Sequence, residues 1–468
     1  TDNWIWPRHT GDFSMFRVYA SKDNRPAAYS PQNVPYRPKK HFSISTKGVK
    51  EGDFTMIYGF PGNTQEYILS DAVAYIAERS DPAKIAVRTG RLDIITKAQE
   101  SDPALRIHYA AKHASIANAW KKWQGEALGI DRRGTVAAKF DYETQFGLWS
   151  VGRPEYAGVV MGLRAEYDRI MDAYFAYEIT RETLSTLPAA YTPEERSEEC
   201  FARRKFAEQA LWRHAFREYG RCPKVYRTPS YAEGMARYKS PEAYADALFE
   251  AVWEGSDSVA MQPAVRLREE TKRMLDHISW MLGTKSLRNL NSKILNELYT
   301  TYIKGLREWD RERAFYPDAN LTLRVAYGSV AGYEYADGEY HKPQTTLDGI
   351  IAKDNPEIYD YDIPQSLRDL YASKNYGRWG TVIDGRRTVP VCFLATNHTT
   401  GGNSGSPVLN AGGELIGINF DRTWRSTMSD LQFDPAICRN IAVDIRYVLF
   451  TIDRIGGAGH LLKEMELR

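Results

Sequence analysis

The sequence of 468 residues lacks most of the features that would place it at once in a simple protein class. It has only four cysteines, Cys200, Cys222, Cys392 and Cys438, and none of them form the CxxC pair of a zinc site. The motifs HExxH, the EF-hand loop and the P-loop are also missing from it. We therefore expect no metal ion and no cofactor, and the disulfide status of the four cysteines stays open.

An excess of charge and a long apolar run are likewise missing. The 62 basic and 60 acidic residues leave a formal net charge of +2, which gives a nucleic acid little to bind. No apolar run reaches the ~18 residues of a transmembrane helix. The sequence thus predicts neither a nucleic-acid nor a membrane partner. It opens with "TDNWIWPRHT" and not with Met, so we expect further chain upstream.

The sequence changes its pattern twice along its length. Residues 1–70 contain short apolar and aromatic runs closed by Gly, Pro or Asn, such as "FSMFRVYA" and "DFTMIYGFPGN", which are typical of strands. Residues 321–468 return to such runs, and "NAGGE" between "SPVL" and "LIGINF" predicts a hairpin.

Residues 71–320, between these two parts, have the periodicity of helices. Apolar side chains recur at helical spacing from Ile294 to Trp309. A capping box begins at Thr192 in "TPEE", and Ser240 in "SPEA" repeats the Ser-Pro half of that pattern. We therefore predict an α+β, multi-domain chain in which an all-helical domain is inserted into a β domain.

The segment "TTGGNSGSPV", from Thr399 to Val408, has the features of a serine nucleophile on a tight turn. Its glycines permit the backbone that exposes Ser404, and the N–H groups of Gly402 and Ser404 are candidates for an oxyanion hole. The same residues are common in polar hairpin loops, and that alternative stays open on this segment alone.

Longer segments resemble a known family. GxSGxP between two strands resembles the nucleophile turn of chymotrypsin-like serine peptidases. Together with "DNWIWPRHTGDFSMFRVYAS", "GDFTMIYGFPGNTQEY" and "VDIRYVLFTID", it resembles the bacterial dipeptidyl-peptidase family of chymotrypsin-like serine exopeptidases. The resemblance implies a double β-barrel with a large helical insertion. Residues 1–70 would be the C-terminal part of the first barrel, whose N-terminal part is missing, and residues 321–468 the second barrel.

The resemblance also places catalytic residues. The nucleophile falls on Ser404, the catalytic aspartate on Asp12, and the oxyanion donors on Gly402 and Ser404. Without the resemblance, Asp12 beside a glycine is a turn residue. His9 and His398 do not match the family's histidine, and we expect His398 to be an exposed loop residue. The general base is therefore expected on an upstream segment or a separate chain.

Substrate recognition follows from the same resemblance. Asn3, Trp4, Asn118 and Asp421 would bind the free N-terminus of an oligopeptide, with the helical domain as a lid that limits the product to a dipeptide. Phe420, Asp421 and Arg422 would line the pocket for the residue before the cut.

Arg422 stands where the acid-specific branch of the family has an arginine and the apolar branch a glycine, and a planar guanidinium suits a carboxylate. We therefore predict dipeptide release after Asp or Glu. The alternative for Arg422 is a surface arginine paired with Asp421 or a neighbouring acid.

Other functions stay open at this point. A Glu-specific endopeptidase of the same fold, a dipeptidyl peptidase with apolar preference, an inactive peptide-binding protein and a helical scaffold each fit part of the sequence. The family resemblance further implies a periplasmic location, and the helical domain is a candidate homodimer interface.

Overall fold

The structure is a computed structural model that describes residues 3–255, 259–283 and 290–468. The chain divides into two compact units. The first, which we call the β unit, combines Thr1–Glu66 with Asp318–Arg468, and the second, the helical unit, is Tyr67–Pro317. The boundaries lie within a few residues of those expected at 71 and 320. The protein is thus a mixed α and β chain with one unit inserted into the other.

Helices make up the helical unit. In chain order they are α1 (Ser70–Ala74), α2 (Asp81–Ser101), α3 (Pro103–Arg132), α4 (Thr135–Ser150), α5 (Val159–Glu182), α6 (Pro193–Ser197), α7 (Lys205–Tyr219), α8 (Pro229–Tyr238), α9 (Pro241–Glu254), α10 (Gln262–Leu282) and α11 (Lys293–Trp309). Within the described ranges, none of these helices combines the length and the hydropathy needed to span a bilayer.

Both predicted helix starts are confirmed. Thr192 Oγ1 accepts a hydrogen bond from the N–H of Glu195 at 3.2 Å, and the Glu195 carboxylate accepts one from the N–H of Thr192 at 2.7 Å. Ser240 Oγ accepts one from the N–H of Ala243 at 3.0 Å, and α9 begins directly after it. These bonds satisfy N–H groups that have no partner inside the helix.

The apolar stripe on α11 is confirmed except at its first residue. Tyr302 and Leu306 are buried, whereas Ile294 is exposed and Leu295 is buried in its place. The helix begins after the N-cap Ser292, so Ile294 lies in the first turn, where neighbouring helices set which side is covered.

Short strands and a few helices make up the β unit. The strands are β1 (Tyr19–Ala20), β2 (Val34–Pro35), β3 (Phe54–Gly59), β4 (Arg324–Ser329), β5 (Tyr333–Ala336), β6 (Glu339–His341), β7 (Gln344–Thr346), β8 (Thr381–Ile383), β9 (Arg386–Thr388), β10 (Pro390–Ala395), β11 (Ser406–Leu409), β12 (Leu415–Arg422) and β13 (Asn440–Asp444). The helices are α12 (Leu347–Ala352), α13 (Gln365–Ser373) and α14 (Ile445–Phe450).

Seven strands form one antiparallel sheet in the order β4-β3-β11-β12-β13-β10-β7. The chain just beyond β4 also pairs with β10, because the N–H of Thr396 donates to the carbonyl of Ser329 at 2.9 Å and the N–H of Ala331 to that of Leu394 at 3.2 Å. The sheet therefore closes on itself around a core that includes Phe393. The predicted hairpin is present between β11 and β12.

The position of β3 corrects one expectation. The family resemblance placed residues 1–70, and with them Phe54–Gly59, in a first barrel separate from residues 321–468, but β3 pairs with β4 on one side and β11 on the other. Thr55, Ile57 and Gly59 point inward and are buried. Alternation along a strand shows which face is buried but not which sheet receives the strand.

The segment "FSMFRVYA" corrects a second expectation. It was predicted to be a strand, yet only Tyr19–Ala20 pair, with Val34–Pro35. Residues 13–18 are not part of a strand, and three of their apolar side chains, Met15, Phe16 and Val18, are exposed, Phe16 to 88%. Strand propensity needs a partner strand to form a ladder, and the sequence does not say whether one is present.

Candidate active site

Ser404 lies on the exposed loop between β10 and β11. Its Oγ donates a hydrogen bond to the carbonyl oxygen of Phe420 at 3.2 Å. Gly402 and Gly405, on either side of it, have φ values of +106° and +82°, which residues other than glycine rarely adopt. The glycines of the motif thus hold the loop in a conformation that presents Ser404 to solvent, as the sequence predicted.

The segment Phe60–Gly62 fixes the position of this loop. The N–H of Gly62 donates to the carbonyl of Gly401 at 2.6 Å. A β-carbon on Gly402 would collide with the carbonyl oxygen of Phe60. The sequence predicted only that the motif "GFPGN" ends a strand in a turn. The structure shows that the nucleophile loop packs against it.

Asn403 is the residue inside the loop that sequence reasoning missed. It is buried; its Oδ1 accepts from the N–H of Thr400 at 3.1 Å, and its carbonyl accepts from Asn419 Nδ2 at 3.2 Å and from the N–H of Ser406 at 3.0 Å. Its place between two glycines and the serine was the available signal, since asparagine commonly bonds its own turn.

The N–H groups of Gly402 and Ser404 take no part in these bonds. In the part of the chain that the structure describes, neither amide donates to a protein acceptor. Two backbone amides near a serine hydroxyl are the kind of donor from which oxyanion holes are built.

Asp421 and Trp4 are brought together although 417 residues separate them. The N–H of Trp4 donates to Asp421 Oδ2 at 3.0 Å, and the N–H of Arg422 donates to Asp421 Oδ1 at 2.8 Å. The carbonyl of Trp4 accepts from the N–H of Trp424 at 2.6 Å, which holds Trp4 at a φ of 66°. The predicted pair of the N-terminal segment and Asp421 is thus a real contact.

Arg8 is a further residue of this cluster that sequence reasoning did not identify. Its Nη2 forms an ion pair with Asp421 Oδ2, and both side chains are buried. Its guanidinium also lies over the ring of Phe420, with 5.1 Å from Cζ to the ring centroid. Asp421 is therefore a carboxylate whose charge is compensated inside the protein. Asn3, the other expected residue of this segment, adjoins Trp4 and is half-buried.

Arg422 is buried and not a surface residue. Its Nη1 donates to Asp430 Oδ1 at 2.6 Å and its Nη2 to Asp430 Oδ2 at 2.7 Å. Nη1 also donates to Ser429 Oγ at 2.7 Å and to the carbonyl of Thr399 at 3.3 Å. The guanidinium thus lies against the first residue of the nucleophile segment. Its acidic partner is Asp430, whereas the sequence-based alternative named Asp421 or a neighbouring acid.

Asp12 is not joined to Ser404 in the structure. It is exposed in an extended segment, directly after Gly11, which packs on the ring of Tyr447. Among the described residues, no hydrogen bond or ion pair holds the Asp12 carboxylate. The expectation that this aspartate enters a barrel strand is wrong for the same reason as for "FSMFRVYA": no strand pairs with it.

The histidines do not supply a base either. All nine lie within the described ranges, and Ser404 has a hydrogen bond to none of them. His398 is half-buried and not an exposed loop residue. Its Nδ1 lies 3.2 Å from Glu66 Oε1, its Nε2 donates to the carbonyl of Ser429 at 3.0 Å, and its ring stacks on Phe433. Burial lowers the pKa of His398 to about 4, so the imidazole is neutral there.

Asn118 lies on α3 of the helical unit and is exposed. The same unit holds the one group of potential metal ligands within the described residues, His108, Glu198 and Cys200. Arg204 already donates to His108 Nε2 at 2.6 Å, and a guanidinium beside a metal-binding nitrogen opposes a cation there. All four cysteines are buried free thiols, which answers the question that their spacing left open.

The Peptidase S46 family matches this chain over residues 1–198 and 194–467. The chain belongs to the peptidase S46 family. A member from Capnocytophaga gingivalis, an Asp/Glu-specific dipeptidyl-peptidase, is 40% identical over 513 residues, covering 100% of this chain and 70% of the relative. Dipeptidyl-peptidase 7 of Phocaeicola vulgatus is 33% identical to this chain over 507 residues, covering 100% of this chain and 70% of the relative.

A solved crystal structure is also similar to this chain along its whole length. DPP11 of Porphyromonas endodontalis, crystallised in complex with the dipeptide Arg-Glu, has a TM-score of 0.83 and 32% identity to this chain. The similarity covers 100% of this chain and 72% of that one. The mixed α and β fold is therefore that of a dipeptidyl peptidase.

Proposed function

We propose that this chain carries the nucleophile and the substrate pockets of a serine peptidase that releases dipeptides from free N-termini and cuts after Asp or Glu. The observation that carries the proposal is Arg422, a buried guanidinium held against the carbonyl of Thr399 in the nucleophile segment. A buried arginine in contact with the segment that carries the nucleophile is suited to a substrate carboxylate. The names of the C. gingivalis relative and of the dipeptide-bound DPP11 structure agree with it.

The chemistry proceeds through an acyl-enzyme. Ser404 Oγ attacks the carbonyl carbon of the second residue, and the N–H groups of Gly402 and Ser404 donate to the oxyanion that forms. The peptide nitrogen then leaves with a proton, and water hydrolyses the ester. One base takes the proton of Ser404 and gives it to the leaving amine; in the hydrolysis it takes a proton from water and returns one to Ser404.

We assign the base to a histidine outside residues 1–468, on an upstream segment or a separate chain, and its orientation to Asp12. Two observations support this assignment: Ser404 bonds none of the nine histidines, and the exposed Asp12 carboxylate is accessible to an imidazole. The same upstream segment would complete the first barrel of a double β-barrel, to which the exposed side chains near Phe16 would then contribute.

The peptide N-terminus is bound, in this proposal, by Asp421 together with Asn3 and Trp4. Asp421 Oδ1 accepts one hydrogen bond, from Arg422, and a carboxylate oxygen can accept a second from an ammonium group. The family resemblance also assigns Asn118, on α3, to binding of the peptide N-terminus. Phe420, Asp421 and Arg422 line the pocket for the acidic residue.

The family resemblance also supports a periplasmic location and a homodimer formed through the helical unit, which we include in the proposal. Oligopeptides with a free N-terminus are the expected partners.

The proposal is tested with fluorogenic dipeptides on the complete native protein. We expect cleavage after Asp and Glu, and at least ~100-fold slower cleavage after Leu, on the order of 3 kcal/mol for a desolvated charge pair. Acetylation of the N-terminus should stop cleavage. Continued cleavage of acetylated substrates would establish an endopeptidase, and a preference for Leu would establish the apolar specificity instead.

A further inference from the structure

The two terminal nitrogens of Arg422 both bind Asp430, at 2.6 and 2.7 Å. This two-point geometry is the one through which a guanidinium binds any carboxylate, including the side chain of a substrate Asp or Glu. Asp430 therefore occupies the same donors that an acidic substrate would use for a two-point contact.

The arginine is the more deeply buried member of the pair. The Arg422 side chain is 5% exposed and also bonds Ser429 and Thr399, whereas the Asp430 side chain is 13% exposed and lies nearer to solvent. The backbone of Asp430 is held, because its carbonyl accepts from the N–H of Gln65 at 2.6 Å. The carboxylate is thus the member of the pair that can yield to a ligand without moving the chain.

We propose that Asp430 is an internal competitor for the acidic side chain of the substrate. It pairs with Arg422 between catalytic cycles and returns to it as the dipeptide leaves, which limits the affinity for acidic dipeptide products. This inference rests on the proposed role of Arg422.

The physical argument is one of linkage. A buried guanidinium without a counter-charge is costly, so the free enzyme gains stability from Asp430. When an acidic ligand reaches Arg422, either the pair between Arg422 and Asp430 is weakened or the ligand carboxylate lies close to the Asp430 carboxylate. Removing the charge of Asp430 therefore raises the energy of the free enzyme more than that of the complex, and acidic dipeptides bind more tightly.

The experiment measures binding of the dipeptides Ala-Glu and Ala-Leu to the complete protein by calorimetry. Asp430→Asn keeps one acceptor oxygen and removes the charge. We expect it to bind Ala-Glu at least ~10-fold more tightly than the wild type does, with Ala-Leu unchanged within about 2-fold. The KM for acidic substrates should fall with it while kcat does not rise. Asp430→Glu, which keeps the charge, should bind Ala-Glu like the wild type within about 3-fold.

Asp434→Asn is the matched control, since Asp434 caps the next turn by accepting from the N–H of Ala436 at 2.8 Å. It should leave both affinities unchanged. Asp430→Ser is a second neutral variant for the case that Asp430→Asn does not fold.

Unchanged or weaker Ala-Glu binding in the folded neutral variants would overturn the inference. Arg422→Met separates this outcome from a failure of the proposed function. If Arg422→Met does not weaken Ala-Glu binding, the role of Arg422 itself is wrong. If it does, and the neutral variants at Asp430 do not tighten binding, only the competitor is wrong.

Discussion

The α-carbon of Gly402 lies against the carbonyl oxygen of Phe60, so closely that no side chain fits between them. This contact joins the nucleophile loop to the segment that follows β3, and it makes glycine necessary at Gly402 for two reasons, its φ of +106° and the space.

Gly402→Ala should therefore displace the amides beside Ser404. We expect kcat/KM to fall by at least ~100-fold, since a lost oxyanion donor costs about 3 kcal/mol. Gly413→Ala is the control: Gly413 has a φ of +76° in the β11–β12 turn, and nothing lies near the added carbon. It should cost about 1 kcal/mol of stability and no activity. Near-normal activity of Gly402→Ala would remove Gly402 from the oxyanion hole.

Arg422→Gly should remove the preference for acidic substrates. We expect kcat/KM for Asp and Glu substrates to fall at least ~100-fold, about 3 kcal/mol for a lost desolvated pair, while apolar substrates lose little. Arg425→Gly is the matched control, because Arg425 pairs with Glu339 and not with Asp430. Equal losses on acidic and apolar substrates would contradict the assignment of Arg422.

Ser404→Ala should abolish turnover and leave dipeptide binding measurable by calorimetry, because the hydroxyl supplies the nucleophile and little of the pocket. A second serine, Ser406, is the first residue of β11 and is buried. Ser406→Ala should retain activity within about tenfold of the wild type and label with a fluorophosphonate, whereas Ser404→Ala should not label. The reverse pattern would move the nucleophile to Ser406.

His214 should make the helical unit less stable in acid. Its Nε2 donates to the carbonyl of Val87 at 2.7 Å and its Nδ1 accepts from Arg217 at 2.9 Å, so the neutral ring is satisfied on both sides. Burial lowers the pKa of His214 below its usual value. The stability is thus fully present above the unfolded pKa, about 6.5, and is lost below it by up to about 1.4 kcal/mol per pH unit.

The measurement is urea unfolding between pH 7 and pH 5 for the wild type and for His214→Gln, which keeps a donor and an acceptor but binds no proton. His214→Gln should flatten the pH dependence, and His277→Gln, at an exposed position, should not. Parallel curves for all three proteins would show that His214 is not the group responsible.

Three of the four thiols, Cys222, Cys392 and Cys438, should resist labelling in the native state. Burial raises the pKa of Cys222 and of Cys438 to about 11 each, and that of Cys392 well above its usual range. At pH 8 only about one molecule in a thousand would carry a given thiolate at such a pKa. Peptide mapping after thiol labelling should find none of these three sites modified in the native protein, and all four cysteines modified in guanidinium chloride. Rapid native labelling would place one of the three at the surface.

Some of this protein is determined by short stretches of sequence alone. The Gly-rich segment around Ser404, the capping box at Thr192, the N-cap at Ser240 and the β11–β12 hairpin are specified by neighbouring residues, because turns and helix ends are satisfied by local hydrogen bonds. The order of β, helical and β segments was readable for the same reason, since apolar spacing is a local property.

Tertiary structure decided what lies far apart in the chain. The sequence showed that Phe54–Gly59 is a strand, but only the fold places it between β4 and β11, because alternation is the same in any sheet. Sequence reasoning identified Arg422 but not Asp430 as its partner, and it misjudged the burial of His398. Charge pairing and burial depend on which distant residues fold around a side chain, and a single sequence carries no record of those neighbours.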